Sequence, residues 1–523
     1  MVNPKYALFA LGWESKLVPP SDLTAWAANL KLDAVEVLYV YGLGDGTVYD
    51  HLLPWLQGNG ERQLVILEED SGIIATALQS SAPLLYDSQV TLEWLDQGLP
   101  ELYPVSGIDV LALPGKETAK FRSLRLQLLR KTALSHSLFV DRFHGYQIFD
   151  NFINNIPQLQ NAFYANGLKG AFATIPAIIC GAGPSLNQAI ETLRKLEGRA
   201  LVIAGGSAIT ALSRAGIEPH FAIAIDPNAE EFRRLQNSFA FECPFLFSTR
   251  LCSSVFQTCN GPFGYLRCGS GGPSELWLDE ELGLTDPLVG EHLSDESISV
   301  TAIALAFAQH IGCSSIILSG MDLAYTDGKR YAIGVSDEKV QLDQSGPDRI
   351  LRKKDKRGKY VNTAVRWVME AASISHYAKK HPEIRWINTT EGGLSIKGIE
   401  QMGLETVATD LLIRRWDLRE LIAQQIALHP MPSVNKDFRS LLTESLLKVI
   451  AHLEVLAGER SGSNALAELE MEGEVAFSVL FYDMDKVLLQ ALSRKIRGDE
   501  DSRARWILFL EIARKYALIA TTI

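Results

Sequence analysis

No stretch of this sequence stays apolar for the roughly 20 residues that a helical bilayer span requires, and a water-soluble protein with no membrane span is expected. The opening residues Met1-Val2-Asn3-Pro4-Lys5 lack the basic start and apolar block of a secretory signal, with no small-residue cleavage site behind them, so the whole chain is expected to be the working protein. Cysteine is scarce. Cys180, Cys243, Cys252, Cys259, Cys268 and Cys313 form no CxxC pair with nearby histidines, which argues against a structural zinc site. Cys180, Cys268 and Cys313 sit in or beside apolar strand-like or helix-end stretches, where a reduced thiol behaves as a small hydrophobe, and this points to a cytoplasmic protein. Positive charge is also short. Lys and Arg number 50 against 62 Asp and Glu, a formal charge of −12, whereas a nucleic-acid binder needs a positive field to displace counterions. One cluster breaks that trend, Arg349 to Lys359 (RILRKKDKRGK), which can hold phosphates or an acidic partner but reads more plainly as a solvated mobile loop.

What is present is an ordinary globular composition, 47% apolar and 21% charged, over 523 residues, more than one core normally organises. There is no internal repeat or low-complexity tract. The fold class expected is α/β, with a Rossmann-like N-terminal domain (1–150), a doubly wound Rossmann-like central domain (151–404) and an all-helical C-terminal region (405–523). In the first block an apolar run, Val35 to Tyr41, enters the turn Gly42-Leu43-Gly44-Asp45-Gly46. An amphipathic stretch to about Leu56 follows, then Leu64-Val65-Ile66-Leu67 ending at Glu68-Glu69. An acid about 25 residues past the first glycine can hold a ribose hydroxyl, but any strand that turns sharply into a helix needs such glycines, and the structural reading is preferred.

The central block reads as strands at Ala177–Cys180, Ala200–Ala204, Phe221–Ile225, Phe245–Ser248, Tyr265–Cys268, Ile316–Ser319 and Arg385–Ile387, with a helix from Val300 to Ile311. Ligands of such sheets bind beyond the carboxyl ends of the strands. That rule selects Gly181-Ala182-Gly183-Pro184-Ser185, the turn Gly205-Gly206-Ser207, Asp226 and Gly320-Met321-Asp322. In the first of these, glycines let backbone amides approach a ligand, and a helix amino end with Ser185 offers donors to a phosphate or ribose oxygen. The third block reads as helices broken at Met431-Pro432, Gly458 to Ser463 and Gly498-Asp499. Asp483-Met484-Asp485 looks like a metal-holding aspartate pair but lies in an apolar helical pattern, and no metal site is assigned.

The segments GAGPSL (181–186), Ala224-Ile225-Asp226-Pro227, the helix from Val300, GMDLAYTDGKRYA (320–332) and Asn388-Thr389-Thr390-Glu391-Gly392-Gly393 resemble the motility accessory factors, bacterial proteins implicated in glycosylating flagellin with nonulosonic acids. The resemblance covers about 170–400. The same segments are distantly similar to bacterial sialyltransferases that use CMP-sialic acid. The resemblance implies a glycosyltransferase, nucleotide-sugar dependent and inverting, with a CMP-sugar as donor substrate, no tightly bound cofactor and a flagellin-like acceptor protein. It assigns nucleotide binding to Gly181, Ala182, Gly183, Pro184, Ser185, Gly206, Ser207, Asp226, Ser299 and Thr301. Asp322, Tyr325 and Tyr331 become catalytic, the tyrosines on the departing phosphate, and Glu391 meets substrate. Where the sialyltransferases use asparagine on the nucleotide, this chain has Ala182 and Asp226, and no histidine lies between Tyr331 and His376. Candidates for the base are Asp322, Asp327, Glu391, His292 and His220; Asp322 can equally cap its strand end and orient the loop. His310, on an apolar helix, reads as structural. Archaeal pterin pyrophosphokinases share a GxGPSL-type turn and use ATP with magnesium, which gives the alternative reading, with Asp226 on the metal. A catalytically silent nucleotide-binding protein is a third.

Overall fold

The computed structural model describes residues 23–80, 86–95, 107–143, 145–236, 242–293, 299–335, 349–433, 435–458, 465–482 and 499–522, with the single positions 84, 238 and 484. They fall into two compact units, one within 1–139, 341–352 and 362–369, the other within 140–340, 353–361 and 370–523.

The first unit is built on four parallel strands, β1 (Val37–Tyr41), β2 (Gln63–Glu68), β3 (Val90–Trp94) and β4 (Ile108–Ala112), in the order β3-β2-β1-β4. Alternation divides the apolar residues between two cores: Leu38, Val40, Leu64 and Ile66 face one, Val37, Tyr39, Val65 and Leu67 the other. The glycine turn after β1 leads into a helix, Val48–Gln57, as its spacing suggested. Both acids at the end of β2 are committed locally. Glu68, buried, accepts from Leu43 N at 2.9 Å on one oxygen and from Glu69 N and Asp70 N at 2.8 and 3.0 Å on the other. Glu69 accepts from the Tyr41 hydroxyl at 2.8 Å and the Lys120 ammonium at 2.6 Å.

The second unit carries β5 (Phe163–Tyr164), β6 (Ala177–Cys180), β7 (Leu201–Gly205), β8 (Phe221–Ala224), β9 (Phe245–Phe247), β10 (Phe263–Tyr265) and β11 (Ser315–Ser319). Next in the chain come the hairpin strands β12 (Ile350–Lys354) and β13 (Tyr360–Ala364), of which residues 353–361 belong to this unit and 350–352 and 362–364 to the first, and then, in this unit, β14 (Arg385–Asn388) and β15 (Glu400–Gln401). All but the hairpin join one nine-stranded sheet, β15-β14-β11-β6-β7-β8-β9-β10-β5, whose paired neighbours run parallel. Apart from the exposed edge strand β15, its strands are buried on both faces. Ile178, Val202, Ala222 and Phe245 face one core, and Ile179, Ile203, Ile223 and Leu246 the other, which is the doubly wound arrangement. The first core continues into the helices Phe438–Ala457, Val475–Leu480 and Asp499–Thr521 through Leu442, Leu446, Phe477 and Phe509. Asp483 and Asp485, like 459–463 and Gly498 between the helices, lie outside the described residues. All six cysteines are free thiols, and among the described residues no helix is long and apolar enough to cross a membrane.

Two expectations differ from what is observed. The strand expected at Tyr265–Cys268 lies at Phe263–Tyr265, because Gly264 belongs to it: a Cβ there would stand 2.3 Å from the Phe163 ring and 2.7 Å from Leu246, so adjacent strands need the glycine that weakens the sequence signal. The basic stretch expected as a mobile loop is instead the hairpin β12–β13. Its turn closes through Asp355 N to Lys359 O (2.7 Å), and the Asp355 carboxylate accepts from Arg357 N and Lys359 N at 2.9 and 2.8 Å.

If Glu68 is the anchor of the glycine turn, Glu68→Ala strands three amide donors. Denaturation of the full chain should then show the first unit destabilised by roughly 2–4 kcal/mol; an unchanged transition would mean that the turn holds itself.

Candidate functional site

In the second unit the chain winds from β6 through β7 to β10 on one side, then returns to place β11 and β14 on the other, so the strand order reverses between β6 and β11. Crevices at such reversals, beyond the carboxyl ends, are where doubly wound sheets take ligands. The turn Gly181–Ser185 leaves β6 there and Gly320–Asp322 leaves β11. Gly181 N donates to Ser319 O and Gly183 N to Gly320 O, both at 2.8 Å. Asp322, buried, reaches across: its Oδ1 accepts from the Ser185 hydroxyl at 2.6 Å and from Ser185 N at 3.2 Å, while Oδ2 accepts from the Thr326 hydroxyl at 2.5 Å. A Cβ on Gly183 would lie 2.1 Å from that Oδ1. The glycine therefore admits the aspartate, whereas the sequence suggested that it admits a ligand.

The end of β14 closes on the same group. Leu394 N donates to Asp322 O at 2.8 Å, and a Cβ on Gly393 would stand 1.9 Å from that oxygen. Thr390 Oγ1 accepts from Met321 N at 2.9 Å. The loop that follows Asp322 departs from relaxed backbone at two non-glycine residues, Leu323 and Asp327, each with φ of 51°. Such conformations persist only where surroundings impose them, and they gather at functional loops. Tyr325 is buried in this loop; the Tyr331 ring lies 4.9 Å from the Arg330 guanidinium, and Ala332 N donates to Ala182 O at 2.8 Å, which sets Tyr331 next to the GAGPS turn.

Above this clasp is an opening of about 160 Å³, floored by Pro184, Ser185, Gln188 and Thr326. Its rim is formed by Asp327, Glu391, Gly392 and the hairpin tip with Asp355, Arg357 and Lys359. Arg357 donates to Glu391 at 2.7 Å, and Lys359 stands 3.9 Å from Asp327.

The remaining sequence-derived positions gather at the ends of the next two strands. Gly206, with φ of 51°, starts the helix Ser207–Arg214, and Ser207 Oγ accepts from Arg234 at 3.2 Å. Asp226 ends β8 and lies near the buried Glu231, whose carboxylate is 3.3 Å from Arg234. Burial pushes the Glu231 carboxyl up to about 7; Asp226 adds to the rise and Arg234 opposes it. Ser299 caps the helix Val300–His310 by accepting from Ala302 N, and its hydroxyl donates to the buried Glu370 at 2.5 Å; Thr301 is in the first helical turn. Burial lifts Glu370 to about 7 despite that hydrogen bond.

Of the histidines, His220 precedes β8, at the amino ends of the strands, where its Nδ1 accepts from Val202 N at 3.0 Å and burial lowers its pKa to about 4. His292 stacks near His381, ahead of β14, and His310 Nε2 is 2.7 Å from Asn166 O. None reaches the carboxyl-end crevice. Sequence reasoning missed Thr326, Arg357, Lys359, Glu231 and Glu370. Thr326 lay within the segment already singled out, and Arg357 and Lys359 within the basic cluster; nothing local marked the two glutamates.

Residues 150–328 match a family model described as 6-hydroxymethylpterin diphosphokinase MptE-like. No match to a curated protein was found. Among solved structures, a MAf glycosyltransferase from Magnetospirillum magneticum AMB-1 is 14% identical, over 99% of this chain and 84% of that one, with a TM-score of 0.48.

Glu370 supplies a pH test. A carboxyl raised from 4.5 to about 7 in the folded state costs nothing below 4.5, where it is protonated folded or unfolded; the cost grows as pH rises from 4.5 to about 7 and is constant above that. Glu370→Gln keeps an acceptor for Ser299 and cannot ionise. Relative to the parent it should gain roughly 1–3 kcal/mol between pH 4.5 and 8; a difference independent of pH would mean that Glu370 ionises normally.

Proposed function

We propose that the chain is a glycosyltransferase that moves a nonulosonic, sialic-like acid from a CMP-sugar to a protein hydroxyl, with a flagellin-type acceptor, in the cytoplasm. The observation that carries the reading is convergence. GAGPSL and GMDLAYTDGKRYA, the latter the segment most specific to the resemblance, are tied by Ser185 to Asp322 and Ala332 to Ala182 at the reversal of strand order, where a doubly wound sheet takes its ligand.

Transfer from such a donor passes through an oxocarbenium-like state. The site must stabilise a leaving phosphate and take a proton from the acceptor hydroxyl. In this reading Tyr325 and Tyr331, on the strained loop, donate to the departing phosphate. Gly206, Ser207, Asp226, Ser299 and Thr301 line the nucleotide's path along the ends of β7 and β8. Asp322, with its carboxylate already accepting three hydrogen bonds, positions the loop and the turn. The acids at the rim, Asp327 and Glu391, are the candidates to take the acceptor's proton, and Glu391 meets substrate. Attack from the face opposite the nucleotide makes the transfer inverting, and no tightly bound cofactor is called for.

The family match over 150–328 is compatible with a second reading, diphosphate transfer from ATP; in that reading Asp226 would hold the magnesium. A specific ligand stabilises by mass action, so thermal shifts with CMP, CDP, ATP and GDP separate the two readings. CMP and CDP should raise the melting temperature, and ATP with magnesium should not. Tyr325→Phe and Tyr331→Phe each remove one donor while keeping the ring. Each is expected to lower the transfer rate constant by roughly 10²–10³, with nucleotide affinity little changed. Unchanged turnover in the double variant would remove both tyrosines from the mechanism.

A further inference from the structure

Three of the four backbone amides that make a glycine turn attractive to phosphate are spent here. Gly181 N, Gly183 N and Ser185 N donate to Ser319, Gly320 and Asp322, and the hydroxyls of Ser185 and Thr326 also donate to Asp322. The opening above them has cations of another origin. Arg357 and Lys359 stand at the hairpin tip, and the tip is held in place. The Asp355 carboxylate accepts both of their amides, Lys356 N donates to Gly393 O at 3.3 Å, and Lys356 Nζ donates to Gln401 at 3.2 Å.

The Arg357 guanidinium already holds a carboxylate, that of Glu391, and both side chains are open to water at 63% and 46% exposure. Exposed pairs of this kind bind weakly, and an arginine fork accepts the oxygens of a carboxylate or a phosphate equally well in shape. Lys359, likewise exposed and only 3.9 Å from Asp327, adds a second charge at the same rim.

We propose that the hairpin tip is an anion clamp, in which Arg357 and Lys359 take a phosphate or carboxylate of the substrate and Glu391 keeps the place until that group arrives. The opening of about 160 Å³ is below the roughly 300–1,000 Å³ of sites that enclose whole ligands, and it suits one anionic group with its neighbouring atoms. The clamp stands on this geometry; only the identity of its anion, the phosphate or the sugar carboxylate of a CMP-nonulosonate, rests on the proposed function.

The test is binding to the full-length chain, by calorimetry at low salt, of CMP, cytidine, inorganic pyrophosphate and N-acetylneuraminate. The double variant Arg357→Ala/Lys359→Ala should bind the phosphate or carboxylate probe about tenfold more weakly, bind cytidine as the parent does, and melt as the parent does, since both side chains are exposed. Glu391→Gln should bind the same probe severalfold more tightly, because the competitor has lost its charge. Loss confined to CMP and pyrophosphate identifies the phosphate, and loss confined to N-acetylneuraminate the carboxylate. Parent-like affinity of the double variant for every anion, or no anion binding by the parent, overturns the clamp. Pyrophosphate held through Arg357 with CMP bound no better would keep the clamp and overturn the cytidine-donor reading.

Discussion

The buried carboxylate of Asp322 is the constraint on which the crevice depends. A charge taken out of water is costly unless donors surround it, and this one accepts from Ser185 N, the Ser185 hydroxyl and the Thr326 hydroxyl, while its backbone oxygen accepts from Leu394. Three strand ends, those of β6, β11 and β14, meet at one residue. The glycines follow from that meeting, since side chains at Gly183 and Gly393 would overlap Asp322 itself. The left-handed backbone at Leu323 and Asp327 follows as well, because the loop has to leave a residue held on every side.

Fixing the turn so firmly divides the work of the site. The GAGPS segment serves as a rigid floor, with three of its amides turned inward, and other groups lining the opening come from elsewhere: Gln188 from the helix Leu186–Lys195, Glu391 from the loop after β14, Arg357 and Lys359 from the hairpin. Beside this floor, burial raises the carboxyl of Glu231, just beyond β8, above the ordinary carboxylate range, and it does the same for Glu370 on the helix Val365–Lys380.

The sheet itself was legible because its physics is local. Apolar runs such as Ile178–Cys180 and Leu201–Ala204, separated by amphipathic helices, can form only buried parallel strands. The turn at 181–185 and the strand end at 320–322 were legible from glycine and hydroxyl chemistry, which marked their importance while leaving open what the glycines accommodate. Gly264 hid a strand because its reason is a neighbouring Phe163 ring a hundred residues away in the chain. The hairpin was hidden by its charge. RKKDKRGK reads as solvated sequence, and its fixed shape comes from Asp355, accepting two amides of its own turn, and from the bonds of Lys356 to Gly393 and Gln401. Glu370 gave no local sign because its burial and its bond to Ser299 are made by packing alone.

The central claim, that Asp322 clasps the turn after β6, is tested most directly by a double-mutant cycle of Ser185→Ala and Asp322→Ala, with stability read from chemical denaturation of the full chain. The account predicts a coupling of roughly 1.5–3 kcal/mol, the range for a hydrogen bond to a buried charged acceptor, and a double variant less damaged than the sum of the singles. Simple additivity of the two substitutions would contradict it.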